Sequence, residues 1–141
     1  MSESPRFPMM IGRHKLTVED DIVVLTQIGD HVQAEVLQVT VVMAEVLAAH
    51  GRLFFLLDLT QAEKTAPEAR RHIAEWSKRN RISGIALFGG SVAARAVSSL
   101  AIAAIRLFRG DHTPTVFTAT ESEARAWIAE QRRRLAKSST L

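Results

Sequence analysis

The chain has 141 residues, the size of one domain with room for a real core, and its 47% hydrophobic and 23% charged residues are ordinary for a globular protein. Cysteine is absent, which excludes a disulfide framework and a thiolate metal site and fits a reducing compartment. The net charge of +3 hides a split: residues 1–69 carry 5 Lys/Arg against 10 Asp/Glu, and residues 70–141 carry 13 against 5.

Residues 1–10 hold two prolines and small polar groups and read as a flexible arm with no apolar run long enough for a signal peptide. Ile11 to Val18 reads as a first strand. Glu19-Asp20-Asp21 is a short acidic turn, and the β-branched run Ile22 to Ile28 is a second strand closed by Gly29. Two strands joined by a tight turn predict an antiparallel hairpin.

The pattern then alternates between helix and strand. Val36, Val39, Met43, Val46 and Leu47 recur at spacings of three and four, which predicts a helix over 32–50 with Gly51 as its stop. Leu53 to Leu57 is a continuous apolar run, as in a strand buried on both faces of a parallel sheet. A helix follows from Pro67 to Asn80, with the proline in its first turn. Ile82 to Phe88 is a second buried strand, and Gly89-Gly90-Ser91 leads into a helix from Val92 to Arg109. Thr115 to Thr118 is a short last strand. Thr120 and Glu123 form a capping box for a last helix ending near Ala136, and residues 137–141 read as a frayed tail. The order β-β-α-β-α-β-α-β-α predicts one α/β domain over 11–136: a mainly parallel five-stranded sheet, an antiparallel N-terminal hairpin and four main helices.

Three segments resemble a known family: Ile22-Val23-Val24-Leu25, Leu56-Leu57-Asp58-Leu59-Thr60, and Val116 to Ile128 with its acidic cap, Ala124 and Trp127. Over about residues 11–135 the chain resembles the SpoIIAA-like proteins, whose fold is similar to STAS domains and to the CRAL-TRIO lipid-binding domain. The resemblance implies a non-catalytic module. STAS relatives include anti-sigma factor antagonists, which switch by phosphorylation of a serine at the start of the helix after the third strand. Here that stretch reads Gln61-Ala62-Glu63-Lys64-Thr65-Ala66-Pro67-Glu68 and holds no serine. Thr65 is its only hydroxyl, a candidate phospho-site near a helix N-terminus and equally a candidate N-cap.

The helix at 92–109 carries the sharpest functional reading. Ser91, Arg95, Ser98, Ser99, Arg106 and Arg109 share one stripe, with Ile102 inside it, and the rest is apolar. Its ten uncharged residues from Ala96 to Ile105 are too few to span a bilayer. One reading is a helix packed deeply on the sheet. The other, which the CRAL-TRIO likeness favours, is a mobile lid over an apolar pocket lined by Val97, Leu100, Ala101, Ile102, Ala104, Ile105 and Phe108. Arg95, Arg106 and Arg109 would then meet an anion or a membrane surface. The expected function is an apolar- or lipid-binding module in the cytoplasm, able to touch the inner face of the membrane. The alternative is a STAS-type regulatory switch that docks a protein near Thr60 to Glu68. A homodimer fits either.

Other features read as structural. Gly89-Gly90-Ser91 lacks a Walker lysine and is not GxGxxG. Asp58 lacks the acidic partners of receiver or dehalogenase chemistry, which leaves a local backbone hydrogen bond. His14, His31, His50, His72 and His112 show no metal-ligand spacing on one helix, so no metal or cofactor is expected. The basic clusters lack interleaved aromatics, so no nucleic-acid partner is expected. Trp76 and Trp127 read as core anchors.

Overall fold

The fold is that of a computed structural model that describes residues 6–90 and 113–139. Six strands form one sheet in sequential order: β1 (Met9–Ile11), β2 (His14–Glu19), β3 (Ile22–His31), β4 (Phe54–Thr65), β5 (Gly84–Phe88) and β6 (Thr115–Thr118). The helices among the described residues are α1 (Gln33–His50), α2 (Pro67–Arg79) and α3 (Glu121–Ser139). Pairing is antiparallel from β1 to β3 and parallel from β3 to β6. The mixed α/β class and the N-terminal hairpin match expectation.

The sheet has six strands rather than five. The strand expected over 11–18 is broken by Gly12-Arg13, a two-residue turn that pairs Ile11 with His14 and recruits Met9 and Met10 as an edge strand. The arm expected to end at residue 10 is therefore partly structured, and Phe7 packs against the core. At the other end, α3 reaches Ser139 rather than Ala136.

The apolar run of β4 shows why both faces are covered. Phe54 and Leu56 point to one side, where they meet Ala124, Trp127 and Ile128 of α3. Phe55 and Leu57 point to the other, where Val39, Val42, Met43 and Val46 of α1 and Ile73 and Trp76 of α2 lie. Alternation along the strand thus fills two layers, and both tryptophans pack on the core as expected.

α3 is started by the predicted capping box: Glu123 donates its N–H to Thr120 Oγ1 (3.2 Å), and Thr120 donates its own N–H to Glu123 Oε1 (3.2 Å). The N-cap of α2 is Ala66, which has no side-chain acceptor. Thr65 is therefore not the N-cap: it is the last residue of β4, paired with His31.

β4 also runs well past the expected end at Leu57. Its pairing with β5 stops at Asp58, but its pairing with β3 continues to Thr65 through two places where β4 carries one extra residue. The first bulge is held by Asp58, whose Oδ1 accepts from the Thr60 N–H (2.9 Å) and from the Thr60 hydroxyl (2.5 Å). This is the local hydrogen bond expected of Asp58. Gly89 and Gly90 follow β5 with φ of 71° and 88° and lie against the same bulge. A Cβ at Gly90 would sit 2.8 Å from Leu59 Cβ, and one at Gly89 would sit 2.7 Å from Thr60 Oγ1. The second bulge is held by Asp30, whose Oδ1 accepts from the Lys64 N–H (3.1 Å).

Candidate functional site

The overrun of β3 and β4 gathers the starts of α1 and α2 at one end of the sheet, the end where α/β folds place their sites. The His31 carbonyl accepts from the Ala66 N–H (2.9 Å), so the end of β3 fixes the start of α2. Arg70 in the first turns of α2 donates from Nη1 to the Thr65 carbonyl (3.2 Å). Thr60, Gln61, Glu63 and Lys64 are exposed along this ribbon, while Ala62 is buried and Thr65 half-buried. The segment where a partner is expected to dock is thus a pinned strand up to Thr65, and its Pro67 and Glu68 open α2.

Beneath it, His14 of β2, His31 of β3 and Glu35 of α1 come together. The Ile28 N–H donates to His14 Nδ1 (3.0 Å), at the start of β2 and beyond its last backbone pair, Lys15 with Thr26. Because Nδ1 accepts, the ring hydrogen is on Nε2, which donates to Glu35 Oε1 (2.8 Å). The same oxygen accepts from the Val32 N–H (3.1 Å), half of a capping box in which valine cannot supply the other half. Glu35 Oε2 lies where a side chain on Gly12 would be: a Cβ there would fall 2.1 Å away. Burial would raise the Glu35 carboxyl, but the bonds from Val32 and His14 outweigh it and hold the group below the usual carboxylate value.

The His31 ring lies 4.6 Å from that of His14, and its Nε2 is buried without a hydrogen-bond partner. Burial, and then the neighbouring His14, push the His31 imidazole down to about 4. The ligand atoms of the three residues lie within 4.8 Å of one another, and two imidazoles with a carboxylate can form a transition-metal donor set. The hydrogen bonding argues otherwise. A ligating histidine needs its second ring nitrogen as a donor, whereas His14 Nδ1 faces the Ile28 N–H. The cluster fits a hydrogen-bond hub that fixes the start of α1. These histidines show no ligand spacing in the sequence because they lie on separate elements. The available signals were Gly12 two residues before His14 and a glutamate three residues into a helix with no polar N-cap.

The expected lid and anion residues (Val97, Leu100, Ala101, Ile102, Ala104, Ile105, Phe108, Arg95, Arg106 and Arg109) and the turn residue Ser91 lie outside the described residues. Among the described residues, no helix is long and apolar enough to cross a membrane.

This strand order, with paired helices on one face and a capped C-terminal helix on the other, is a SpoIIAA-like, STAS-type fold. The chain is similar to an uncharacterized protein of the DUF3478 family with a SpoIIAA-like fold from Shewanella loihica PV-4: TM-score 0.57, 14% identity, covering 79% of this chain and 89% of that one. It is also similar to the anti-sigma factor antagonist SpoIIAA in its unphosphorylated form: TM-score 0.55, 13% identity, covering 82% and 97%. No protein-family model matches the sequence, and no curated protein does.

Proposed function

We propose that the protein is a non-catalytic regulatory module that binds a protein partner through the ribbon formed by the ends of β3 and β4 and the start of α2, from Thr60 to Glu68. The observation that carries this reading is the overrun of β4: a strand continued beyond its β5 partner, pinned by Asp30, Asp58 and His31, and presenting Gln61, Glu63 and Lys64 to solvent. A pre-organised polar surface loses little entropy on docking. The fold likeness to an anti-sigma factor antagonist supports the same class of role. Control by phosphoserine does not carry over, since residues 61–68 hold none. Thr65 is the only hydroxyl there, and it is half-buried.

The test is a photo-crosslinking residue at Gln61, compared with the same chain carrying Glu63→Lys and Lys64→Glu. The expected result is one discrete adduct that the charge reversal abolishes. Adducts unchanged by the reversal would refute the proposal. The reading as a lipid-binding module rests on residues 91–112, and no described residue favours it.

A further inference from the structure

We infer that the outer face of α1 is a self-association surface, on which two copies of this chain pack their α1 helices antiparallel about a two-fold axis at Val41. This goes beyond the partner surface proposed above and uses different residues.

A helix lying on a sheet is ordinarily polar where it faces water. In α1, Val36, Val39, Val42, Met43 and Val46 are buried toward the sheet. The opposite face is apolar as well: Leu37 is 45% exposed and Val41 58%. Ala34 and Ala48 extend the stripe one turn further at each end, and both are exposed. No charge occurs from Val36 to Ala44. Val32, Leu37 and Val41 are three of the five large apolar side chains exposed among the described residues, so the exposure is concentrated here.

The pattern is complementary to itself. In an antiparallel pair centred on Val41, Val41 meets Val41 of the other copy. Leu37 falls among Ala44, Glu45 and Ala48 of the other copy, where two small side chains leave room for it. Ala34 faces Ala48, so the backbones can approach closely. The antiparallel arrangement sets each helix N-terminus beside the other's C-terminus, which the macrodipoles favour. Glu45, the one acidic residue of α1 beside the stripe, is paired with Arg6 (2.8 Å), both half-exposed, so its charge is already matched within its own copy. A large side chain opposite small ones across a two-fold axis fits a second copy better than an unrelated helix. One helix pair buries less than a stable dimer needs, so the association is weak and concentration-dependent.

The test uses the full chain. Sedimentation from about micromolar to about millimolar concentration should show a reversible monomer–dimer equilibrium. Leu37→Glu should weaken it by at least about tenfold, because a carboxylate would be buried unpaired, while the circular dichroism melt stays unchanged. The chain has no cysteine, so placed cysteines report geometry directly. Under mild oxidation Val41→Cys should form a disulfide dimer efficiently. Leu37→Cys should not, unless mixed with a chain carrying Ala44→Cys or Glu45→Cys. A monomer at every concentration, or crosslinking at Leu37→Cys alone as efficient as at Val41→Cys, would overturn the inference.

Discussion

Asp21 and Arg132 stand 111 positions apart in the chain, and their carboxylate and guanidinium are joined at the turn between β2 and β3. Arg52 Nε also donates to Asp21, at 2.5 Å, and the Asp21 carboxylate is only 3% exposed. The Arg132 guanidinium lies 5.7 Å from the centre of the Phe54 ring. Burial alone would raise the Asp21 carboxyl, but the hydrogen bonds from Arg132 and Arg52 outweigh it and hold it below its ordinary value. This contact ties the last helix to the β2–β3 hairpin. Arg132→Ala leaves a buried carboxylate with one partner and should cost about 2 kcal/mol, less than for a fully orphaned charge. Urea denaturation monitored by tryptophan fluorescence measures it.

His31 gives the fold a defined pH window. Its folded-state value is about 4, against 6.5 for the free side chain. Between those values the unfolded chain binds a proton that the folded chain refuses, so stability rises with pH across the window. It should fall by roughly 3 kcal/mol on going from neutral pH to below pH 4. His31→Phe should flatten the slope between pH 6.5 and 4. Loss at lower pH, where Asp21 and Glu35 take up protons, should persist in that variant.

Much of this architecture can be read from sequence, for identifiable reasons. The run Phe54 to Leu57 announces a strand covered on both faces, and Thr120 with Glu123 announces the last helix. The end of β4 could not be read so: Thr60-Gln61-Ala62-Glu63-Lys64 is polar and lacks strict alternation, because two bulges break the period of two. The hub at Glu35 was equally hidden. His14 is 21 positions away, and only the return of β2 beside α1 brings the pair together. On the outer face of α1, Gln38 and Glu45 give the sequence a polar look, whereas Leu37 and Val41 occupy its middle.

The hub can be tested by grading the loss at one position. Glu35→Gln keeps an oxygen that can accept from His14 Nε2 and the Val32 N–H, and should cost less than about 1 kcal/mol. Glu35→Ala removes the acceptor for both and should cost about 2–3 kcal/mol. Amide hydrogen exchange should rise at the first turn of α1 in the alanine variant only.

Gly90→Ala should be among the more damaging single-methyl additions to the chain. The residue has a φ of 88°, and its new Cβ would fall 2.9 Å from the Leu59 carbonyl oxygen. A loss of about 2 kcal/mol or more is expected from strain and overlap together. Gly51→Ala is the control: its φ is 73°, but nothing lies within 4 Å of the added carbon, so only the conformational part is lost. The two melting temperatures separate the contributions.

The paired bulges of β4 divide one strand between two masters. Its first five residues, Phe54 to Asp58, answer to neighbours on both sides and are constrained by the sheet. Its remaining seven answer to β3 alone and to the helix starts they carry. The extra residues absorb the change of phase, so Leu59 and Ala62, three apart, both turn to the same core. Sequence can therefore drift at the exposed positions Gln61, Glu63 and Lys64, and with it the chemistry offered to a partner, without any compensating change in the layered interior.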